Sequence, residues 1–266
     1  MPQPSVNTQE FARLVQVVET LRGPNGCPWD KEQTHQTLTQ YAIEEAHELA
    51  EAIDSHQRDH IIEELGDLLL QVVLHSEIAR QSGEFTLKDV LSRLTEKMIR
   101  RHPHVFSDVQ VANSKEVLKN WAHIKDQEKG PAQTSDPFSN IPRNLPALIR
   151  AQKIGSKSVR YNFDWSSPEE VLLKVDEELA ELKEAISNSD PEGQRLELGD
   201  LLFSVVQLAR HLGFDAEQSL RLTNKKFEVR FLKMRQLVEQ DHKDFMSLST
   251  KELESYWKKA KKELRT

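Results

Sequence analysis

A ten-residue segment occurs twice in the chain and constrains its fold more than any other feature. ELGDLLLQVV begins at Glu64 and ELGDLLFSVV begins at Glu197, and eight of the ten positions are identical. The same offset of 133 residues aligns IEEAHELAEAI with DEELAELKEAI without a gap. Because self-similarity at a fixed offset is typical of a repeated structural unit, the sequence predicts two copies of one domain.

Weaker matches continue beyond these segments. Arg101 matches Arg230 at an offset of 129 residues, and Trp121 matches Trp257 at an offset of 136 residues. Small differences in loop length explain the drift in the offset. The duplication therefore extends over most of each half of the chain.

The residues around the repeat have the periodicity of amphipathic helices. Phe11, Leu14, Val15 and Val18 follow the i, i+3, i+4 spacing of one helical face. Further helices are predicted near residues 31–54, 60–81, 87–101 and 115–128, and then near 145–157, 168–188, 191–212, 215–240 and 250–264. We find no convincing strand pattern, so the predicted fold class is all-α.

The segment that joins the two copies is rich in proline. Between residues 129 and 146 it contains Pro131, Pro137, Pro142 and Pro146, and such a composition is typical of a linker. We therefore predict a first domain over 1–128, a linker over 129–146 and a second domain over 147–266. The two domains are expected to be tandem helical bundles.

Composition narrows the classes of partner. A formal net charge of -7 gives no global basic field, so nucleic acid is not an expected partner. Cys27 is the single cysteine, and the first residues, MPQPSVNTQE, lack the basic start and apolar stretch of a signal peptide. No apolar run approaches the roughly 20 residues of a membrane-spanning helix. We expect a soluble, cytoplasmic protein without a membrane partner.

Pairs of acids stand at helical spacing in the second copy. Glu178 and Glu181 are three residues apart on one predicted helix, and Glu197 and Asp200 are three apart on the next. Residues at this spacing share a helix face. A short SNSDPEG turn should pack the two helices antiparallel and bring the four carboxylates together. The second helix has so many leucines and valines that we expect it to be largely buried.

Four clustered carboxylates need a positive partner, because taking ionised carboxylates from water is costly and they repel one another. A hard divalent cation meets this need. Oxygen ligands without cysteine or an obligatory histidine favour Mg2+, Mn2+ or Ca2+, and Mg2+ typically also binds substrate phosphates. The cluster therefore indicates a phosphorylated substrate. The chain has no G-x-x-x-x-G-K-[ST] motif, so a P-loop NTPase is not expected.

Single residues also have structural explanations. Any one of the acids is as well explained as solvated surface. A di-iron site is disfavoured because His47 has Ala180 at its position in the repeat. Lys226 and Arg230, four apart on one helix, either hold phosphate oxygens or cover apolar surface with their stems. By itself, Trp257 is more typical of a core residue.

The repeat also places a glycine inside a helix in each copy, Gly66 and Gly199. Glycine at such a position costs about 1 kcal/mol relative to alanine, which suggests a packing requirement. We expect a neighbouring helix to approach closely at both glycines.

Several motifs together resemble the MazG family over essentially the whole chain. They are GCPWDKEQT, the EExxE pattern followed by ExxD, RRHPHVF, the WxxIK segment and IPRNLPALIRAQK. The resemblance implies a homodimer of tandem all-α pyrophosphohydrolase domains that converts NTPs and dNTPs to the monophosphate and pyrophosphate. Mg2+ is the implied cofactor, and Mn2+ is expected to substitute for it.

The resemblance also assigns roles to residues of the second domain. The implied metal ligands are Glu178, Glu181, Glu197 and Asp200. Glu177 is expected to support these ligands without contacting the metal itself. The implied nucleotide contacts are Lys174, Lys226, Arg230 and Trp257. Catalysis is attributed to this domain, and a regulatory or structural role to the first.

The first domain differs from the second at one of these positions. The residue equivalent to Lys174 is Tyr41, so the first domain lacks one cation for a triphosphate. It keeps the acids, which form a second candidate metal site: Glu45, Glu48, Glu64 and Asp67.

The expected mechanism is attack of water on the α-phosphorus while lysine and arginine neutralise charge on the departing pyrophosphate. Two alternatives remain open. One is a helical regulatory or interaction protein that binds a protein partner, and the other is a pyrophosphohydrolase dedicated to one non-standard nucleotide.

Overall fold

The computed structural model describes residues 8–128 and 136–264, and within these ranges the regular structure is helical, without strands. The chain divides into two compact units, Met1–Gln133 and Thr134–Thr266. The predicted all-α class and tandem arrangement are confirmed. Part of the predicted linker, 129–135, lies outside the described residues, and Ile141 within it is buried. The exact limits of the linker stay a prediction.

The first unit contains seven helices in its described residues: α1 Thr8–Leu21, α2 Pro28–Glu32, α3 Thr39–Ser55, α4 Arg58–Ser82, α5 Leu87–Arg101, α6 Pro103–Phe106 and α7 Ser114–Gln127. Its core joins α1 to α4 through Val18, Leu38, Val73 and Leu74. A capping box at Thr86 begins α5. The beginning of α5 therefore follows local capping chemistry.

The prediction of one helix from residue 31 was wrong at its beginning. Turns occupy the residues before α3, where Thr34 N donates to Thr37 Oγ1 at 2.9 Å and Thr37 N donates to Thr34 Oγ1 at 3.2 Å. Threonine side chains that bond nearby backbone groups compete with helix formation. The helix therefore begins only at Thr39.

The second unit contains five α-helices in its described residues: α8 Ala147–Ser158, α9 Pro168–Ser187, α10 Pro191–His211, α11 Ala216–Gln240 and α12 Thr250–Glu263. Pro168 and Pro191 stand in the first turns of α9 and α10, where a missing N–H costs no hydrogen bond. Three residues join α9 to α10, and the two helices pack together as α3 and α4 do in the first unit. Short connections of this kind produce antiparallel neighbours.

The expectation that α10 is largely buried was wrong. Its inner face is buried at Ser204, Val206 and Gln207, but Leu198 is 47% exposed and Leu202 is 52% exposed. Apolar side chains stand all around this helix, and only one face can pack against the helices of its own unit. Several apolar residues of α10 are therefore left on the surface.

The expectation for the two repeated glycines was also wrong. A Cβ added at Gly66 or Gly199 would meet no atom within 4 Å. The close approach occurs instead at Gly155 on α8, where a Cβ would lie 1.7 Å from Gln207 Oε1 on α10. Gln207 Nε2 donates to Ala151 O at 3.0 Å, so a polar contact fixes this crossing.

The described helices were also compared with the requirements for crossing a bilayer. None of those in residues 8–128 and 136–264 combines the necessary length and apolarity.

Candidate active site

The second unit brings three of its predicted acids together between α9 and α10. One carboxylate oxygen each from Glu178, Glu197 and Asp200 lies within 4.8 Å of the others. Glu178 is buried, with 5% of its surface exposed, while Glu197 is half-buried and Asp200 is exposed. The cluster therefore has a buried end at α9 and an open end toward solvent.

Glu181 lies beside this cluster on the exposed side of α9. Its pKa is raised by desolvation and then by the negative charges of Glu178 and Glu197. The structure thus groups the four acids predicted as metal ligands, and their role as ligands stays a prediction.

Lys174 balances part of this charge. Its Nζ lies 2.7 Å from Glu178 Oε1 and donates a hydrogen bond to Glu177 Oε1 at 2.8 Å. These two contacts raise the pKa of Lys174, so the ammonium stays charged at neutral pH. Glu177 therefore positions Lys174 instead of approaching the cluster directly.

The other predicted nucleotide contacts lie on α11 and α12, which pack together. Lys226 is exposed and Arg230 is half-buried. The ring of Trp257 is 5.1 Å from that of Phe227 and packs against the core cluster of these two helices. Within residues 136–264, no ion pair joins Lys226 or Arg230 to the carboxylate cluster, so one chain does not bring the two groups into contact.

The first unit contains a corresponding cluster between α3 and α4. One oxygen each from Glu45, Glu48 and Glu64 lies within 4.8 Å of the others. The pKa of Glu45 is raised by desolvation and then by Asp67 and Glu48. The pKa of Glu64 is raised by desolvation and then by Glu48 and Asp67. All four predicted acids therefore interact with one another here.

This first cluster lacks a lysine because Tyr41 stands at the equivalent position. Tyr41 packs against the core of the first unit, with its ring centre 6.0 Å from that of Trp29. A residue that the sequence reasoning missed, Gln71, instead makes a hydrogen bond to Glu45 that opposes the rise in its pKa. Gln71 stands four residues after Asp67, so helical spacing alone could have placed it on the same helix face as the acids.

Both clusters fit a hard divalent cation. Each supplies oxygen donors only, as Mg2+ prefers, and ligands about 2.1 Å from one ion can lie up to about 4 Å apart. The observed limit of 4.8 Å needs only small side-chain rotations to meet this distance. In the first cluster, Glu64 Oε2 is buried and has no hydrogen-bond partner among the described residues. A buried oxygen without a partner is consistent with binding to a cation.

The fold and the clusters define a class: an all-α protein built as a tandem repeat, with a cluster of carboxylates between an antiparallel helix pair in each unit. Comparison with known proteins identifies the family. The profile of the MazG nucleotide pyrophosphohydrolase domain matches residues 33–106 and 166–233. The chain belongs to the MazG family.

Two similar proteins agree with this assignment over nearly the full length. The nucleoside triphosphate pyrophosphohydrolase/pyrophosphatase MazG of Thermotoga maritima is 48% identical over 94% of this chain and 95% of its own length. The nucleoside triphosphate pyrophosphohydrolase of Escherichia coli K12 is 40% identical over 96% and 98%. The crystal structure of a mazG-related protein from Thermotoga maritima has a TM-score of 0.38 and 28% identity, covering 43% of this chain and 98% of that one. The family and the enzyme class predicted from the motifs are confirmed.

Proposed function

We propose that the second unit hydrolyses nucleoside triphosphates, including deoxynucleotides, to the monophosphate and pyrophosphate with Mg2+ as cofactor. The observation that supports this most directly is the buried Glu178 carboxylate with oxygens of Glu197 and Asp200 within 4.8 Å. The activity named for the relatives from Thermotoga maritima and Escherichia coli K12 supports the same substrate class.

Glu178, Glu181, Glu197 and Asp200 would hold the cation. When bound, a divalent cation stabilises negative charge on phosphate oxygens and lowers the pKa of the water that attacks the α-phosphorus. These carboxylates would position the cation between α9 and α10. No covalent enzyme intermediate is required by this arrangement.

The cations of the unit would hold the triphosphate. Lys174 stays protonated beside Glu178, and Glu177 orients it through a 2.8 Å hydrogen bond. Lys226 and Arg230 would neutralise charge that builds on the departing pyrophosphate. Trp257 offers an apolar ring face for the base, since aromatic rings stack on bases without reading their sequence.

The proposal also includes a homodimer, because corresponding apolar residues are exposed in both units. Leu65 and Leu69 on α4 are 51% and 39% exposed, and their repeat counterparts Leu198 and Leu202 on α10 are 47% and 52% exposed. Contiguous exposed apolar surface is typical of an interface. The open space at Gly199, on the same helix, leaves room for a helix of a second copy. Light scattering should report a dimer for the wild type and a monomer for Leu202→Glu.

The test of the activity is pyrophosphate release from a panel of NTPs and dNTPs, with Mg2+, with Mn2+ and with EDTA. The wild type should release pyrophosphate with either metal and lose the activity in EDTA. Glu178→Gln should abolish release, whereas its repeat counterpart Glu45→Gln should retain it. Release that survives in Glu178→Gln would contradict the assignment of catalysis to the second unit.

The panel also separates the alternatives. Metal-dependent release from one modified nucleotide alone would favour a dedicated pyrophosphohydrolase. No release from any nucleotide would favour a regulatory or interaction protein. The regulatory role proposed for the first unit is supported by Tyr41, which leaves its acids without the lysine present in the second unit.

A further inference from the structure

Two arginines at the end of α5 hold one carboxylate of the first unit. Arg100 Nε donates to Glu128 Oε1 at 2.8 Å, and Arg101 Nε donates to Glu128 Oε2 at 3.1 Å. A second nitrogen of each guanidinium also contacts the carboxylate. The side chain of Arg101 is 19% exposed and that of Glu128 is 20% exposed, whereas that of Arg100 is 54% exposed, so the contact is open to solvent on the side of Arg100.

The contact holds the carboxylate strongly in its ionised form. Hydrogen bonds from Arg101 and then from Arg100 lower the pKa of Glu128 to about 2. Two guanidinium groups surround a single negative charge, so the group of three residues keeps a net positive charge. A more highly charged anion of suitable shape would therefore fit this site better than a single carboxylate does.

The second unit leaves the equivalent arginine open. Arg101 matches Arg230 in the repeat, and the offset that aligns Trp121 with Trp257 places Leu264 opposite Glu128. Within residues 136–264, no carboxylate forms an ion pair with Arg230. The first unit thus has an acid where the second unit has an apolar residue.

The arginine pair adjoins a surface groove and a cluster of aromatic rings. The groove is about 680 Å³ in volume and is lined by Arg100, Pro103, Ile124, Gln127 and Glu128. Directly after Arg101 in the chain, His102 has its ring 5.2 Å from that of Trp121 and 5.6 Å from that of His104.

Two ring nitrogens of this cluster, His104 Nδ1 and Trp121 Nε1, are buried without hydrogen-bond partners in the described structure. Buried polar atoms without partners are uncommon in proteins. The aromatic cluster therefore contains two ring nitrogens whose hydrogen bonding no described residue satisfies.

We propose that Arg100 and Arg101 form a second phosphate-binding site, in the first unit, which Glu128 occupies until an oligophosphate displaces it. A guanidinium group binds carboxylate and phosphate with the same two-pronged geometry, so Glu128 stands in for a phosphate group. The choice of ligand rests on the proposed function, because Arg101 is the repeat counterpart of Arg230. The ligand is inorganic oligophosphate or the phosphate chain of a nucleotide.

The test is calorimetric titration of the full chain with inorganic tripolyphosphate in EDTA. All proteins carry Arg230→Gln, so that binding in the second unit does not mask the result. Glu128→Gln should bind tripolyphosphate at least tenfold more tightly than the background protein. Adding Arg101→Gln to Glu128→Gln should remove this gain.

The matched control is Glu96→Gln, which removes the same charge from an exposed residue of α5 and should leave the affinity unchanged. Equal affinity with and without Glu128→Gln would overturn the proposal, as would a gain that persists after Arg101→Gln. Circular dichroism of every variant checks that the helices are retained.

A second titration, with ATP in EDTA, separates the two ligand sources. Tighter binding of ATP than of tripolyphosphate to Glu128→Gln would identify a nucleotide site that uses the aromatic cluster, and equal binding would identify a site for the phosphate chain alone. Turnover is measured separately with intact Arg230. If the wild type hydrolysed no nucleotide, the proposed function would be wrong, but the effect of Glu128→Gln on tripolyphosphate binding would still test the second site.

Discussion

The two units carry the same acidic cluster with different compensation of its charge. In the second unit, Lys174 Nζ lies 2.7 Å from the buried Glu178. In the first unit, the equivalent Tyr41 packs into the core, and Glu45 has a hydrogen bond from Gln71 in place of an ion pair. Duplication therefore preserved the carboxylates at their helical spacing but not the cation beside them.

This difference changes the electrostatics of the clusters. Both Glu45 and Glu64 have raised pKa values in the first unit, whereas the buried Glu178 of the second unit has Lys174 as a partner. The matching arginines differ in the opposite sense, because Glu128 neutralises Arg101, while no carboxylate within residues 136–264 forms an ion pair with Arg230. The two units therefore differ in the charge beside the carboxylate cluster and in the charge beside the matching arginine.

The largest expected effect distinguishes the clusters by catalysis. Glu197→Gln should reduce pyrophosphate release by at least about 100-fold, because the charge that holds the cation for transition-state stabilisation is lost. The repeat counterpart Glu64→Gln should change the rate by less than about twofold. Steady-state kinetics at saturating Mg2+ measures both, and comparable losses in the two variants would show that both units take part in turnover.

The next effect concerns packing. Gly155→Ala should lower the free energy of unfolding by about 1–3 kcal/mol, because the new Cβ would overlap Gln207 in a buried helix crossing. In the first unit, Gly66→Ala should instead raise the stability of the isolated chain by up to about 1 kcal/mol, since its Cβ meets no atom. Urea unfolding compares the two variants. A stable Gly155→Ala protein would mean that Gln207 can move aside at little cost.

A smaller effect should follow from removing the lysine. Lys174→Met should raise the pKa of Glu181 further, because the positive charge of Lys174 opposes the rise in that pKa. We expect turnover to fall by about tenfold, consistent with the loss of one charge-assisted contact of about 1.5 kcal/mol. Carboxyl titration by NMR and kinetics should change together. A loss of turnover without any change in pKa would indicate that Lys174 contacts only the substrate.

The smallest effect is a dependence of metal stabilisation on pH. Glu45, Glu64 and Glu181 have raised pKa values in the folded chain. Their contribution to stability is therefore present below the ordinary glutamate value of 4.5 and is lost as the pH rises through the raised values. A cation binds the ionised forms and offsets this loss. Mg2+ should therefore raise Tm by more at pH 7.5 than at pH 4.5, and equal increases would contradict the assignment.

Much of the site was predictable because it depends on local spacing. Glu178 and Glu181, and Glu197 and Asp200, stand three residues apart, and an α-helix places such residues on one face whatever surrounds it. The short turn between the helices then determines an antiparallel pair. The repeat added an independent check, since the same spacing occurs twice.

Other features were not predictable from spacing. Leu198 and Leu202 were expected to be buried, but the helices of the same unit cover only one side of α10. The close contact at Gly155 depends on Gln207, which is 52 residues away in the sequence. Hydrophobicity reports that a residue prefers burial but does not identify the surface that buries it.

The sequence by itself determined the duplication, the helical class, the family and the grouping of the acids, because these follow from identity between repeats and from hydrogen bonding over four residues. The ion pair of Lys174 with Glu178 was predictable in the same way, because the two residues stand four apart on α9. Only the tertiary structure decided that Tyr41 enters the core and that Glu128 contacts Arg101 across 27 residues of sequence. These contacts depend on how separate helices are placed against each other, and side-chain charge and shape act only after that placement.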